Sequence, residues 1–145
     1  MPSVGASVMN ALLTRYAGLL RQFLKFGIVG GVGFLFDNAL VYAGIYLLHM
    51  GHDAAGLASF PFVVSLTWVG NRYFTFREAD RTNLAGQWLR FLSVCGVGLI
   101  FNRGTYSLMV HNFPLAYDYP VLALLAGTAA GMFFNFFVAR RVVFR

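Results

Sequence analysis

Two arginines lie near the ends of two apolar segments in this chain of 145 residues. Arg72 follows Asn71 in the earlier segment, and Arg140 follows Asn135 in the later one. A guanidinium group binds phosphate through two parallel hydrogen bonds, so two such groups at matching depth can grip one phosphate from both sides. The alternative is that both arginines only anchor helix ends at the membrane surface. The first interpretation predicts a lipid-phosphate site formed by these four residues.

A second group of polar residues lies deep inside apolar segments. Asp37 and Asn38 are in the first segment, and Asn102 and Arg103 are in the third. A charge in the bilayer is costly unless it finds a partner or a hydrated cavity. Asp37 and Arg103 differ in depth by about 3 Å at helical rise, so each is the natural partner of the other. The four residues predict a polar cavity, whose charged pair either fixes the helices or exchanges with a substrate phosphate.

The composition tells which elements must position these residues. Hydrophobic residues make up 59% of the chain and charged residues only 11%, which is too little polar surface for a water-soluble domain. Four apolar stretches cover roughly residues 26–50, 55–74, 91–110 and 119–138. Each is near the ~20 residues that a spanning helix requires. The expected fold is an all-α membrane protein with four transmembrane helices.

The sequence also repeats itself at one constant interval, the one that separates Arg72 from Arg140. We call this interval the repeat offset. It also relates Phe23-Leu24 to Phe91-Leu92, Val29-Gly30 to Val97-Gly98, and Phe76-Arg77 to Phe144-Arg145. A constant offset indicates duplication, so we expect a single domain, residues 1–145, built from repeats at about 16–77 and 84–145. Since each repeat crosses the membrane twice, the two helical hairpins are expected to be parallel.

The positive charges predict the orientation in the membrane. Apart from Arg103, they are Arg15, Arg21 and Lys25 before the first span, Arg72, Arg77, Arg81 and Arg90 around the central connection, and Arg140, Arg141 and Arg145 at the end. The connections at 49–54 and 111–118 contain no Lys or Arg. The positive-inside rule therefore predicts cytoplasmic termini and a cytoplasmic central connection, and it explains the net charge without a nucleic-acid partner. Amphipathic stretches before the first and third spans predict helices on the cytoplasmic surface.

The sequence offers little support for enzyme chemistry. The glycines around Gly27 lack the preceding strand of a nucleotide-binding loop. Gly27 with Gly31, and Gly127 with Gly131, are instead spaced for close packing of helices. Cys95 is the only cysteine, so no thiolate metal site or disulfide framework is available. We expect no enzyme activity, no catalytic residue, no cofactor and no metal site.

These residues resemble the GtrA-like family of small four-span membrane proteins. The motifs are Phe23-Leu24-Lys25-Phe26-Gly27 with Asp37, then Asn71-Arg72-Tyr73-Phe74-Thr75-Phe76-Arg77, then Asn102, Asn135-Phe136 and Arg140-Arg141-Val142-Val143-Phe144. The resemblance covers nearly all of the chain from Phe23 onward. Phe74 stands where the family usually has Trp, and Arg103 stands where an apolar residue is expected.

The resemblance implies a function in transport of lipid-linked sugars. Family members are thought to move polyprenyl-phosphate-linked sugars, such as undecaprenyl-phosphate glucose, from the cytoplasmic to the outer leaflet. There a membrane glycosyltransferase uses the sugar for polysaccharide synthesis or glycosylation. The implied location is the bacterial inner membrane, and the implied partners are the polyprenyl-phosphate lipid and a glycosyltransferase. Four helices barely enclose a sugar phosphate, which favours a homo-oligomer.

Two alternatives remain open from the sequence. One is a small proton-coupled exporter of the multidrug type, in which Asp37 alternates between a proton and a cationic drug. Arg103 at similar depth argues against it, because a fixed cation repels such drugs and holds the carboxyl ionised. The other alternative is a membrane scaffold that orients a glycosyltransferase without transporting anything.

Overall fold

The computed structural model describes residues 4–80 and 82–145, except for the side chains of Val4 and Ala6. Its helices are α1 (Val4–Leu47), α2 (His52–Gly70), α3 (Leu84–Asn112), α4 (Pro114–Asp118) and α5 (Pro120–Val138). Within these described residues, four helical segments are long and apolar enough to cross a membrane, which confirms the predicted all-helical fold with four spans for this part of the chain. Arg81, one of the basic residues of the central connection, lies outside the described residues.

The first helix is longer than a membrane span. α1 has 44 residues, or about 66 Å at 1.5 Å per residue, whereas the hydrocarbon core is ~30 Å thick. The segment before the first span, expected to be a surface helix, is therefore one uninterrupted helix with that span. The connection at 111–118 also differs from a simple loop, because Pro114 begins the short helix α4.

The helices form two tightly packed hairpins, α1 with α2 and α3 with α5. Glycines permit the close approach in both. A Cβ atom at Gly33 would overlap Thr67 of α2, and one at Gly127 would lie 2.6 Å from the carbonyl oxygen of Asn102 in α3. Gly131 also packs on Asn102, as its spacing predicted, whereas Gly31 faces open space. Only the second pair of spaced glycines thus forms a tight helix contact.

Each hairpin ends in a turn of π-helix. Asn71–Thr75 follows α2, and Ala139–Val143 follows α5. The bounds of these turns, and of the helices before them, differ at every point by the repeat offset. Backbone hydrogen bonds from Phe76 to Asn71 (2.7 Å) and from Phe144 to Ala139 (2.9 Å) close the turns. The wider turns bring the two phenylalanine rings together, with centroids 4.7 Å apart.

The hairpins are joined by an aromatic core at one end of the bundle. We call this end, which carries residues 71–80, 82–83 and 139–145, the basic end, and the other the far end. Phe136 is fully buried there and contacts the rings of Phe23, Phe26 and Phe76 at centroid distances of 5.2, 5.6 and 6.1 Å. The core thus fixes the two π turns against α1, and this arrangement shapes the surface of the basic end.

Candidate functional site

A cavity of about 500 Å³ opens at the basic end. Its walls come from α1, from the residues that follow α2, and from the π turn after α5. Its charged residues are Arg21, Lys25, Arg77, Glu78 and Arg140. Four cations therefore face a single carboxylate in one concave surface. An excess of positive charge in a cleft raises the local concentration of anions.

Two of these cations are crowded by the geometry of α1. Arg21 and Lys25 are four residues apart and therefore lie on the same side of the helix. Lys25 Nζ donates to the carbonyl oxygen of Phe74 at 3.3 Å and lies 4.9 Å from the centroid of its ring. Like charges at this spacing are unfavourable on an isolated helix, and a bound anion relieves the repulsion. The local fold thus concentrates positive charge where a bound anion would be stabilised.

Gln22 adds an unsatisfied polar group to the same cavity. Its Oε1 atom is buried and has no hydrogen-bond partner among the described residues. A buried polar atom without a partner costs free energy, and rotation of this side chain toward the cavity would let a ligand recover it. Because a carboxamide has both donor and acceptor atoms, Gln22 can bind either a phosphate oxygen or a sugar hydroxyl. The cavity therefore offers both charge and hydrogen bonds.

The structure places Arg72 away from this cavity. Its side chain is 3% exposed, and its Nη1 atom donates to Gln87 Oε1 and to the carbonyl oxygen of Asp80, the latter at 3.3 Å. Trp68 Nε1 donates to the same Gln87 oxygen at 3.2 Å. The guanidinium also lies 5.9 Å from the ring centroid of Tyr73. Arg72 therefore ties α2 to the start of α3.

The other three members of the predicted phosphate site are also separated. Asn71 is buried, and its Oδ1 accepts from Thr75 Oγ1 at 3.0 Å within the π turn. The buried Oδ1 of Asn135 lacks a partner among the described residues and lies where a side chain at Gly98 would project. Of the four predicted residues, only Arg140 lines the cavity of about 500 Å³ at the basic end, which we call the cationic cavity.

The four polar residues in the spans do not line one shared cavity. Asp37 accepts from Ser59 Oγ at 2.5 Å, and Asn38 donates to the carbonyl oxygen of Phe34 in its own helix at 2.7 Å. Asn102 packs on α5, whereas Arg103 is exposed. The expected Asp37–Arg103 ion pair is absent among the described residues, because α1 packs on α2 and its backbone does not closely approach that of α3. Similar depth did not bring the two charges together.

Replacing Ser59 by alanine tests the hydrogen bond to Asp37. The change removes a buried donor from a carboxylate inside the membrane, and we expect a loss of about 1 kcal/mol of stability. Thermal unfolding in detergent measures it. Ser93→Ala is the control, because the Ser93 hydroxyl donates only to Leu89 in its own helix. Equal melting temperatures for the two variants would contradict the assigned role of Ser59.

Sequence reasoning missed Arg21, Lys25 and Arg77 as site residues. From the sequence, these three residues indicate only the orientation of the helices in the membrane. The spacing of Arg21 and Lys25 was a usable signal, because it places two cations on one face next to an apolar span. The position of Arg77 beside them depends on the π turn after α2, which the sequence pattern did not predict.

The fold and the cavity define a class: a helical membrane protein with four candidate spans among the described residues and a cavity rich in cations at one end. The model of the GtrA/DPMS transmembrane domain family matches residues 25–144, and the chain belongs to this family. The resemblance seen in the sequence is thereby confirmed. The family is of the membrane transporter or flippase type, associated with translocation of lipid-linked sugars. A comparison with curated proteins finds no match.

Proposed function

We propose that the protein binds a polyprenyl-phosphate-linked sugar at the basic end and translocates it across the bilayer. The lipid is undecaprenyl phosphate, and the sugar serves cell-surface polysaccharide synthesis or glycosylation. The observation that carries this proposal is the cavity in which four cations face one carboxylate. The phosphate binds there, while the polyprenyl chain lies in the bilayer against the exposed apolar faces of the helices. The protein itself catalyses no covalent step.

The proposal revises the residues that bind the phosphate. Arg140 keeps the role predicted from the sequence and is joined by Arg21, Lys25 and Arg77. Arg72 is buried, and its Nη1 atom donates to Gln87 and to the carbonyl oxygen of Asp80, so it serves the fold instead. Asn71 and Asn135 serve helix packing in the same way. This division follows the cavity: the cations that line it bind the ligand, whereas Arg72, Asn71 and Asn135 lie outside its lining and hold the helices.

The proposal also places the chain in its membrane. The basic end faces the cytoplasm of a bacterial cell, so the chain is a multi-pass inner-membrane protein with both termini inside. Residues 1–145 form one domain of two parallel repeats, about 16–77 and 84–145, and the helix bounds that recur at the repeat offset support this interpretation. A membrane glycosyltransferase receives the translocated sugar. Because four helices enclose little volume, the working unit is a homo-oligomer.

A binding experiment tests the phosphate site. The double variant Lys25→Ala with Arg140→Ala is expected to bind undecaprenyl phosphate at least ~10-fold more weakly, because two contacts from cation to phosphate are lost. Tryptophan fluorescence or microscale thermophoresis of the purified protein measures the affinity. The wild-type affinity is also expected to fall as salt is raised from roughly 50 to 500 mM, because salt screens the attraction between exposed charges.

The matched control removes the same charge from elsewhere at the basic end. Arg15→Ala with Arg141→Ala deletes two exposed arginines that do not line the cavity, and we expect nearly wild-type affinity. Equal weakening by both double variants would mean that net charge, and not this cavity, binds the lipid. Translocation itself is tested in proteoliposomes, by the appearance of undecaprenyl-phosphate glucose in the opposite leaflet compared with protein-free vesicles. No appearance above that background would refute the transport proposal.

A further inference from the structure

Arg103 lies in the bilayer without a counter-charge from any residue that the structure describes. It is exposed on α3, nine residues or about 13 Å from the end of that helix at Asn112. Asp37 accepts a hydrogen bond from Ser59, and within the described residues the backbone of α1 does not closely approach that of α3. An arginine at such depth is unfavourable unless a partner or water reaches it, and intramembrane charges commonly mark a substrate pathway.

Two further polar residues continue from Arg103 along the same side of α3. Ser107 and His111 follow at successive intervals of four residues, and both are exposed. Four residues advance an α-helix by about 6 Å and rotate it only slightly beyond one turn, so the three side chains form a stripe. His111 Nδ1 lies 2.7 Å from the carbonyl oxygen of Ser107, so in the neutral ring Nδ1 donates and Nε2 is free to accept. The stripe runs from the middle of the span to the far end.

The stripe ends at a second cavity. His111 is one of the residues that line an open space of about 330 Å³ between the end of α3 and α4. Its other polar lining residues are Asn112, Tyr117 and Asp118. The volume lies within the range of about 300–1,000 Å³ that is typical of small-ligand sites. An amide, a carboxylate, an imidazole and a phenol together supply the donors and acceptors that sugar hydroxyls require.

We propose that Arg103, Ser107 and His111 form the exit path for the phosphate and sugar of the lipid-linked substrate. Arg103 receives the phosphate in the middle of the bilayer, and the far-end cavity holds the sugar before release. The polyprenyl chain remains in lipid throughout, because the stripe lies on an exposed side of α3. This inference rests on the proposed function and adds a second binding region to it.

Photo-cross-linking tests the path directly. The probe is undecaprenyl-phosphate glucose with a diazirine on the sugar, incorporated into vesicles with the purified protein. We expect labelling of the segment 103–118 in the wild type, reduced at least ~10-fold in Arg103→Leu by loss of the bidentate contact to phosphate. Ser93→Ala, which changes an exposed serine of α3 nearer the basic end, should label as the wild type does. Absence of wild-type labelling in 103–118, or unchanged labelling in Arg103→Leu, would overturn the path.

Stability and transport separate this role from a structural one. Arg103→Leu is expected to raise the melting temperature, since it removes a charge exposed at bilayer depth, while transport falls at least ~10-fold. Binding of undecaprenyl phosphate at the basic end should stay within ~2-fold of the wild-type affinity. A lower melting temperature or a changed oligomeric state would assign Arg103 to helix or subunit packing and overturn the proposal. Labelling of 103–118 without transport would refute translocation but keep this segment as a binding region for the substrate. Transport without such labelling would keep translocation and refute the path through Arg103.

Discussion

Replacing Arg72 by methionine is expected to cost about 3 kcal/mol of stability, because hydrogen bonds to charged groups are worth about 1.5–3 kcal/mol each. The buried guanidinium donates to Gln87 and to the carbonyl oxygen of Asp80, and Gln87 in turn accepts from Trp68. Methionine keeps much of the volume and removes every donor. The contact between α2 and the start of α3 should therefore weaken, although no ligand contact is touched.

The same replacement at Arg140, the equivalent position of the second repeat, is the matched control. Arg140 is exposed in the cationic cavity, and surface substitutions usually change stability by less than about 0.5 kcal/mol. We expect the Arg140→Met variant to melt like the wild type and to bind undecaprenyl phosphate more weakly. Thermal unfolding and lipid binding, measured on both variants, give the comparison. Similar melting temperatures for Arg72→Met and Arg140→Met would show that the network around Arg72 is not structural.

The two arginines show how far the repeat in the sequence could be used. The repeat offset pairs their positions in the sequence, and the bounds of the helices and π turns before and around them recur at the same offset. It could not predict that Arg72 is buried and Arg140 exposed, because burial depends on which neighbours each half supplies. Gln87 accepts a hydrogen bond from Arg72, whereas the equivalent position in the first repeat is Leu19, whose side chain has no acceptor.

The neighbouring cavities at the basic end show the same divergence. Beside the cationic cavity, a smaller one of about 230 Å³ is lined by Gln87, Arg90 and Arg145, among others. The repeat offset relates Arg77 of the larger cavity to Arg145 of the smaller one, and Gln22 to Arg90. Gln87 holds Arg72 in a closed network on one side, whereas Arg140 stays open on the other. If the halves arose by duplication, this region stayed open around Arg140 in one copy. In the other copy it became the network of buried hydrogen bonds around Arg72.

The four spans were predictable because hydrophobicity and length alone determine which segments can cross a bilayer. The Asp37–Arg103 pair was not, because the depth of a residue follows from its sequence position but its direction depends on helix packing. α1 turns Asp37 toward Ser59 of α2, and α3 turns Arg103 away from its contact with α5. The depth of a residue in the membrane and the direction in which its side chain points are independent. Only the depth can be calculated from the rise of the helix.

The glycine contacts between α3 and α5 determine how these helices pack. Gly127→Val is expected to destabilise the protein by about 3 kcal/mol or more, which is at or above the largest cost that is typical of overpacking a core. A Cβ atom at Gly127 would already lie 2.6 Å from the carbonyl oxygen of Asn102. A backbone atom cannot move aside as a side-chain rotamer can, so the helices must separate. The separation would also disturb the stacked rings of Phe101 and Phe134, whose centroids are 4.5 Å apart.

For Gly30→Ala we expect no loss of stability, in contrast to Gly127→Val. A Cβ atom at Gly30 would meet nothing within 4 Å, so only helix propensity changes, and alanine is favoured over glycine by about 1 kcal/mol. Thermal unfolding and gel filtration in detergent should show an early transition for Gly127→Val and an equal or later one for Gly30→Ala. If Gly127→Val melted with the wild type, α3 and α5 could not be in backbone contact. The position of Arg103 on the outer side of that contact would then also be wrong.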